Sequence, residues 1–241
     1  MKIRIDRFLS HMGIGSRSEI KNFLKISKIL VNGKVINDSK IKVDTQVDEV
    51  FFDDKKIIYH EFTYLMLNKP KGYISATFDE KLKTVVDLLE KPYSNMNLFP
   101  VGRLDIDTTG LLILTNDGKF SYNVTNPKKK INKKYFVKLL YPFTDEQKNL
   151  IEKGIFLKKE NILIENAVVE KVAEKEIFLT ISQGKFHQVK RMLEYVQNKV
   201  VDLKRVKIGF LELDKNLKPS QYRELSEEEI LKIFHKIWLI E

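Results

Sequence analysis

Apolar positions recur along the chain in two rhythms. Near the start, Ile5, Phe8, Leu9 and Met12 stand at helical spacing and predict one buried helical face. Gly13 and Gly15 end that run. Ser16-Arg-Ser-Glu19 has the form of a capping box, and Ile20, Phe23 and Leu24 supply the stripe of a second helix. Residues 29–36 then read as strand, Asn32-Gly33 turn of type I′, and strand. A further strand is expected over Val47–Phe52. Residues 53–63, "DDKKIIYHEFT", read as a charged connector that re-enters an apolar strand.

From Tyr64 the rhythm changes. Strands are expected at 64–67, 110–115, 134–140, 167–171, 176–181 and 200–213, the last interrupted at Gly209. Helices are expected at 84–89, from the Thr144 capping box to about Lys153, at 187–196, and after the Ser226 capping box. In the 187–196 helix, His187, Lys190, Arg191 and Glu194 share a polar face, and Val189, Met192, Leu193 and Val196 turn to the core. Strict strand–helix alternation is absent, so a Rossmann fold is disfavoured. The pattern predicts an α+β protein: a small N-terminal α/β module over 1–58, a linker at 59–63, and a domain over 64–241 with a mostly antiparallel mixed sheet flanked by helices.

Composition adds boundaries. The chain has 241 residues, long enough to bury a substantial core. It has no cysteine, which excludes disulfides, thiolate metal sites and a cysteine nucleophile. No apolar run approaches the roughly 20 residues of a membrane span, and Met1–Arg7 carries three basic residues without an apolar segment. A cytoplasmic protein without membrane attachment is expected. Lys plus Arg number 43 against 33 Asp plus Glu, a net charge of +10. That favours an anionic partner, nucleic acid first. Lysine outnumbers arginine 36 to 7, which resembles the codon bias of an AT-rich genome and dilutes the argument. The seven arginines, with their planar fork, are the more informative charges. His11, His60, His187 and His235 lack metal-ligand spacing, and no phosphate-binding glycine loop is present. "FSYNV" around Ser121 is not a nucleophile elbow. Neither a metal nor a cofactor is expected.

Residues 1–34 carry eight basic and two acidic side chains. The text "RIDRFLSHMGIGSRSEIKNFLKISKILVNGKVI" resembles the S4 RNA-binding domain. The resemblance implies two helices and a hairpin presenting basic residues to structured RNA. Arg17 and Lys21, four apart on one helical face, are the first candidate contacts, with Arg4 and Arg7 behind them.

The densest polar segment is "NLFPVGRLDIDTTGLLILTNDG", 97–118. An arginine two residues from an aspartate can hold the carboxylate ionised and oriented. Alone, "RLD" reads more readily as a hydrogen-bonded turn. The whole string, however, is very similar to the signature of the RsuA/RluA superfamily of RNA pseudouridine synthases, in the form of its RsuA branch. "KKYFVKL" (133–139) and "GKFHQVKRML" (184–193) resemble two further motifs in order and spacing, and "LNKPKG" and "IGFLEL…LKPSQYREL" match the flanking text. The resemblance implies cofactor-independent isomerisation of a uridine in RNA. Asp105 matches the catalytic aspartate, Tyr135 the active-site tyrosine, and Lys190 the basic residue that pairs with the aspartate. Arg103 is expected to fill the space a flipped base leaves or to clamp a phosphate. His187 and Arg191 are expected to face RNA, and Asp107 to organise the loop. "HQVKRM" is closer to small-subunit than to large-subunit enzymes. It implies 16S rRNA or a small-subunit assembly intermediate as partner, with uridine 516 as target. Without a leucine-rich seam, a monomer is expected. The rival readings are a large-subunit enzyme of the same family, a non-catalytic S4-type RNA-binding protein, and a metal-dependent nuclease or glycosidase built on Asp105 and Asp107.

Overall fold

A computed structural model describes residues 1–157 and 162–234; His235 lies outside them. The chain forms two compact units, Met1–Thr63 with Val86–Phe99, and Tyr64–Val85 with the residues from Pro100 onward.

In the first unit, β1 (Lys2–Arg4) leads into α1 (Ile5–His11), which buries Ile5, Phe8 and Leu9. The capping box forms as the sequence predicts. The Ser16 amide donates to Glu19 Oε2 at 2.7 Å and the Glu19 amide to Ser16 Oγ at 3.3 Å, starting α2 (Arg17–Lys25). Then come β2 (Ile29–Val31), β3 (Lys34–Val35), β4 (Lys42–Asp44), β5 (Val50–Phe52) and β6 (Lys55–Ile57). Asn32 and Gly33 have φ of 50° and 76°, the left-handed pair that a type I′ turn requires. The strands pair in the order β3-β2-β5-β6, with β1 against β4.

Two expectations shift. The strand expected from Val47 begins at Val50, because the Val47 and Asp48 amides both close a turn on the Asp44 carbonyl. The start of the supposed connector is a hairpin: Asp53 and Asp54 adopt φ of 50° and 62° and turn β5 into β6. Aspartate tolerates that region, a signal hidden by reading "DDKK" only as charge.

The second unit contains β7 (Tyr64–Lys69), β8 (Phe99–Pro100, of which Pro100 belongs to this unit), β9 (Thr109–Thr115), α3 (Gly118–Thr125), β10 (Lys133–Leu139), α4 (Asp145–Lys153), β11 (Ile155–Leu157), β12 (Ile162–Ile164), β13 (Val168–Ala173), β14 (Glu176–Ile181), α5 (Gln188–Tyr195), β15 (Val200–Ile208), β16 (Leu211–Glu212), β17 (Tyr222–Glu224) and α6 (Glu227–Lys232). The main sheet runs β13-β14-β10-β15-β9-β7-β17. It is antiparallel except where β15 meets β9, so the α+β mixed sheet stands. β7 and β9 are buried almost throughout, which is why they read as continuous apolar runs. Met66, Leu111, Ile113, Phe120, Val124 and Ile208 form the core beneath them.

The helix expected at 84–89 is a single 3₁₀ turn over Val85–Leu88. Asn116-Asp-Gly118 ends β9 and also opens α3, which the sequence reading lacks. Asp117 caps it by accepting from the Phe120 amide at 3.0 Å.

Three central strands align the segments that carry Tyr135 and Asp105. Tyr135 on β10 faces Arg205 on β15, and Arg205 pairs with Gly110 on β9. Gly110 has φ +99°, and a β-carbon there would run into the Arg205 carbonyl. Only glycine lets the Asp105 loop enter β9 this closely.

Candidate active site

The loop 103–108 hangs between β8 and β9 and is fixed from outside. Lys69, fully buried at the end of β7, donates from Nζ to the carbonyls of Thr108 at 2.9 Å, Asp105 at 3.0 Å and Pro70 at 3.1 Å, with Ile106 O at 3.4 Å. Ser75 Oγ donates to the Leu104 carbonyl and accepts from the Leu104 amide, both at 3.0 Å. The Gly72 amide donates to Ile106 O at 2.8 Å. "LNKPKG" is thus the clamp of the Asp105 loop. The sequence reading saw it as flanking text and assigned Lys69 and Ser75 no role. A lysine closing a buried strand was the available signal, since lysine is rarely fully buried without partners. Burial pushes the Lys69 ammonium down to about 8; the Asp107 and Asp105 charges oppose that shift and Arg205 adds to it.

On this frame, Asp105 meets an ammonium and an imidazole from the start of α5. Lys190 Nζ lies 3.3 Å from Asp105 Oδ2, and His187 Nε2 lies 3.6 Å from Asp105 Oδ1. Lys190 also donates to both Asp107 oxygens, at 2.7 and 2.9 Å. Its ammonium is therefore shared by two carboxylates, and its shorter bonds go to Asp107. Burial works against charge on both Lys190 and Asp107. Their mutual hydrogen bond and attraction outweigh it, so Lys190 is held above its ordinary value and Asp107 below. His187 sits at φ +49°, immediately before α5, a left-handed position that histidine tolerates better than most residues.

Asp105, Arg103, Tyr135, His187 and Lys190 line one narrow cleft of about 60 Å³, with Leu203 and Thr108 among its other walls. A wider hollow of about 620 Å³ shares Arg103, Asp105, His187 and Lys190 with it and extends to Ser75 and Phe186. Tyr135 is buried, Arg103 is exposed, and Asp105 is partly exposed between them. The Thr108 hydroxyl is buried without a hydrogen-bond partner among the described residues.

The remaining candidates lie elsewhere. Arg191 Nη1 donates to the Phe186 carbonyl at 3.3 Å and bounds the turn that leads into α5. Arg4 forks onto Asp6 at 2.6 and 3.1 Å. Arg7, Arg17 and Lys21 are exposed on the first unit. Arg205, opposite Tyr135 in the pairing of β10 with β15, is buried with Nε donating to the Leu111 carbonyl at 2.8 Å.

A carboxylate beside an ammonium and an imidazole, in a cleft walled by a buried tyrosine, is a site for acid–base or nucleophilic work on a small planar group. The family comparison names the class. The chain matches the RNA pseudouridylate synthase family model over residues 63–195 and the S4 domain model over residues 3–49. It belongs to the RNA pseudouridine synthases, with an S4 domain in front. It is 41% identical over 95% of its length to an uncharacterized RNA pseudouridine synthase of Bacillus subtilis, covering 97% of that protein. It is 37% identical over 96% of its length to the ribosomal small subunit pseudouridine synthase A of Escherichia coli, covering all of it. A crystal structure of a pseudouridylate synthase superposes with a TM-score of 0.68 at 34% identity, covering 96% of this chain and 99% of that one.

Proposed function

We propose that the chain isomerises one uridine of small-subunit rRNA to pseudouridine, with uridine 516 of 16S rRNA as the target. The observation that carries this reading is the convergence of Asp105, Tyr135 and Lys190, from three separate segments, on one cleft in a chain of this family. Its relatives named as small-subunit enzymes match nearly end to end, which supports the substrate class.

In the reaction the C1′–N1 bond breaks, a C1′–C5 bond forms, C5 loses its proton and N1 gains one. Atoms balance without a redox partner. Asp105 serves as the ionised carboxylate, whether it attacks C1′ or removes a ribose proton to open a glycal route. Lys190 and His187, 3.3 and 3.6 Å from its oxygens, hold its aim. Tyr135 stacks on the uracil and relays the C5 proton. The partnerless Thr108 hydroxyl is available to the flipped nucleotide. Arg103, exposed at the mouth, clamps a phosphate. Arg4, Arg7, Arg17 and Lys21 hold RNA, and the protein acts as a monomer in the cytoplasm. The nuclease reading fares worse, because Asp105 and Asp107 both turn to Lys190, which occupies the position a divalent cation would need.

The 60 Å³ cleft and the 620 Å³ hollow share Arg103, Asp105, His187 and Lys190, so the base reaches the carboxylate from the wider side. The test is site-resolved pseudouridine mapping of rRNA from cells with and without the gene, complemented by wild type or Asp105→Asn. Loss of one small-subunit pseudouridine, restored only by wild type, is the expected result. A missing large-subunit pseudouridine would reject the target, and full rescue by Asp105→Asn would reject the role of Asp105.

A further inference from the structure

The second unit carries a run of charge that the cleft does not use. Residues 128–134, "KKKINKK", hold five lysines and no acid. Asn126 builds the start of the run into a turn. Its Oδ1 accepts from the Lys128 amide at 2.9 Å and its carbonyl from the Lys129 amide at 3.0 Å. Lys128, Lys129 and Lys130 are exposed, and none is in an ion pair among the described residues. Other lysines of this sheet differ: Lys134 meets Glu170 at 2.8 Å, Lys138 meets Glu176 at 3.3 Å and Lys207 meets Glu212 at 3.1 Å. Lys129, Lys130, Lys134 and Lys207 rim a hollow of about 470 Å³ that no acidic side chain among the described residues lines. Its size is within the roughly 300–1,000 Å³ of ligand pockets. Phe210 stands in it with 44% of its surface exposed. The backbone leading to that ring is held from both sides. The Gly209 amide donates to the Asn132 carbonyl at 2.8 Å and the Phe210 amide to the Lys232 carbonyl at 2.9 Å. Lys207 Nζ lies 5.7 Å from the ring centroid.

We propose that this hollow is a second contact for the substrate RNA: a nucleotide of a single strand flanking the target uridine stacks its base on Phe210 and sets its phosphates against Lys129 and Lys130. The proposal rests on the reading of the chain as an rRNA pseudouridine synthase. Aromatic faces beside unneutralised lysines hold single-stranded nucleic acid, because every base has a face to stack and every linkage carries a charge. A folded protein surface would have to offer acids spaced to match the lysines; an RNA strand brings a phosphate at every step. Position favours the same occupant. Side chains alternate along a strand, so Lys134 and Tyr135 on β10, and Thr180 and Ile181 on β14, point to opposite faces of the sheet. Tyr135 and Ile181 line the cleft, while Lys134 and Thr180 line the hollow. The two sites stand back to back across the sheet, at the start of β10 and the end of β14. A strand leaving the cleft reaches the hollow by rounding that end of the sheet.

The experiment compares the full-length protein and its F210A, F210W and K129A/K130A variants on two RNAs that share the target uridine. One keeps its single-stranded flanks; the other lacks them. Losing one base stack costs roughly five- to a hundredfold in affinity. F210A should raise KM by a factor in that range on the flanked RNA and not on the trimmed one, and F210W should restore it. For K129A/K130A on the flanked RNA, the slope of log affinity against log salt should be shallower by about 1.4, at about 0.7 per single-strand phosphate. With Phe210 replaced by photoreactive p-benzoylphenylalanine, the protein should cross-link to a flanking nucleotide. Equal loss of F210A on both RNAs overturns the proposal, since the ring would then serve the fold. So does an unchanged KM on the flanked RNA, or an unchanged salt slope. A cross-link to residues 235–241 of the same chain, or to a second copy, overturns it by naming a different occupant. Failure of the synthase reading shows separately, as wild type that converts neither RNA, while the salt slope and the cross-link still decide what the hollow holds.

Discussion

Lys69 is the residue on which the loop carrying Asp105 depends most. Its ammonium has three protons and four carbonyls within 3.4 Å, so each proton has an acceptor and the loop 105–108 is folded around one point charge. Lys69→Met keeps the length and apolar stem but leaves buried carbonyls unpaired, a loss of roughly 3 kcal/mol. Thermal unfolding should register that loss, and kcat should fall further than stability alone explains because Asp105 is no longer aimed. The alkaline behaviour follows from the same burial. With its folded pKa pushed down to about 8 from an ordinary 10.5, Lys69 binds fewer protons folded than unfolded between those values. Its contribution therefore raises stability as pH climbs through that window, and the loop meanwhile loses its ammonium. Activity and stability should diverge: kcat drops with an apparent pKa near 8 while Tm gains from this group over the same interval. Lys133, also pushed down to about 8 by burial and by Arg205, titrates in the same window. Lys133→Met should keep the fall in kcat while removing its own share of the rise in stability. A kcat flat to about pH 9.5 in both proteins would take Lys69 out of control of the loop. The loop contacts were not readable from "LNKPKG" alone, since three of the four carbonyls Lys69 binds lie 36 to 39 residues away along the chain.

At the scale of elements, what was legible was what is local. The boxes at Ser16, Thr144 and Ser226 and the Asn32-Gly33 hairpin are decided by residues within four positions of each other, and all form as read. Motif order located the Asp105 loop, Tyr135 and the 184–193 segment, and the fold brings those three together. The α3 helix and the β5–β6 hairpin were missed because their openings, "NDG" and "DD", are also ordinary turn and surface text. The parallel pairing of β15 with β9 joins residues about 95 positions apart, and no periodicity encodes it. Its signature is Gly110. Gly110→Ala would impose a left-handed backbone on a residue with a side chain and press its methyl into the Arg205 carbonyl. The expected cost is roughly 3 kcal/mol, seen as a lower midpoint in urea with an unchanged m-value. Ser16→Ala should cost only about 1 kcal/mol, with the loss confined to the first unit.

At the scale of the whole molecule, the +10 divides by purpose. Lys69, Lys133 and Arg205 are buried and serve the sheet and loop, and Lys190 is committed to two carboxylates. None of these four is available to phosphate. Arg17 and Lys21, by contrast, lie exposed on one face of α2. If they contact phosphates, each releases counterions on binding, and the logarithm of affinity falls with the logarithm of salt by about 0.9 per duplex phosphate neutralised. The double variant Arg17→Ala/Lys21→Ala should therefore bind its rRNA more weakly at low salt, and its salt slope should be shallower by about 1.8. Because these side chains belong to the first unit and the cleft is lined by residues of the second, KM should rise while kcat at saturating RNA stays near wild type. A variant with an unchanged salt slope would mean that α2 faces solvent in the complex, and that the charge of the first unit reflects lysine-rich codon usage rather than an RNA track. A variant that lost kcat with KM unchanged would mean that the S4 unit acts on the chemical step.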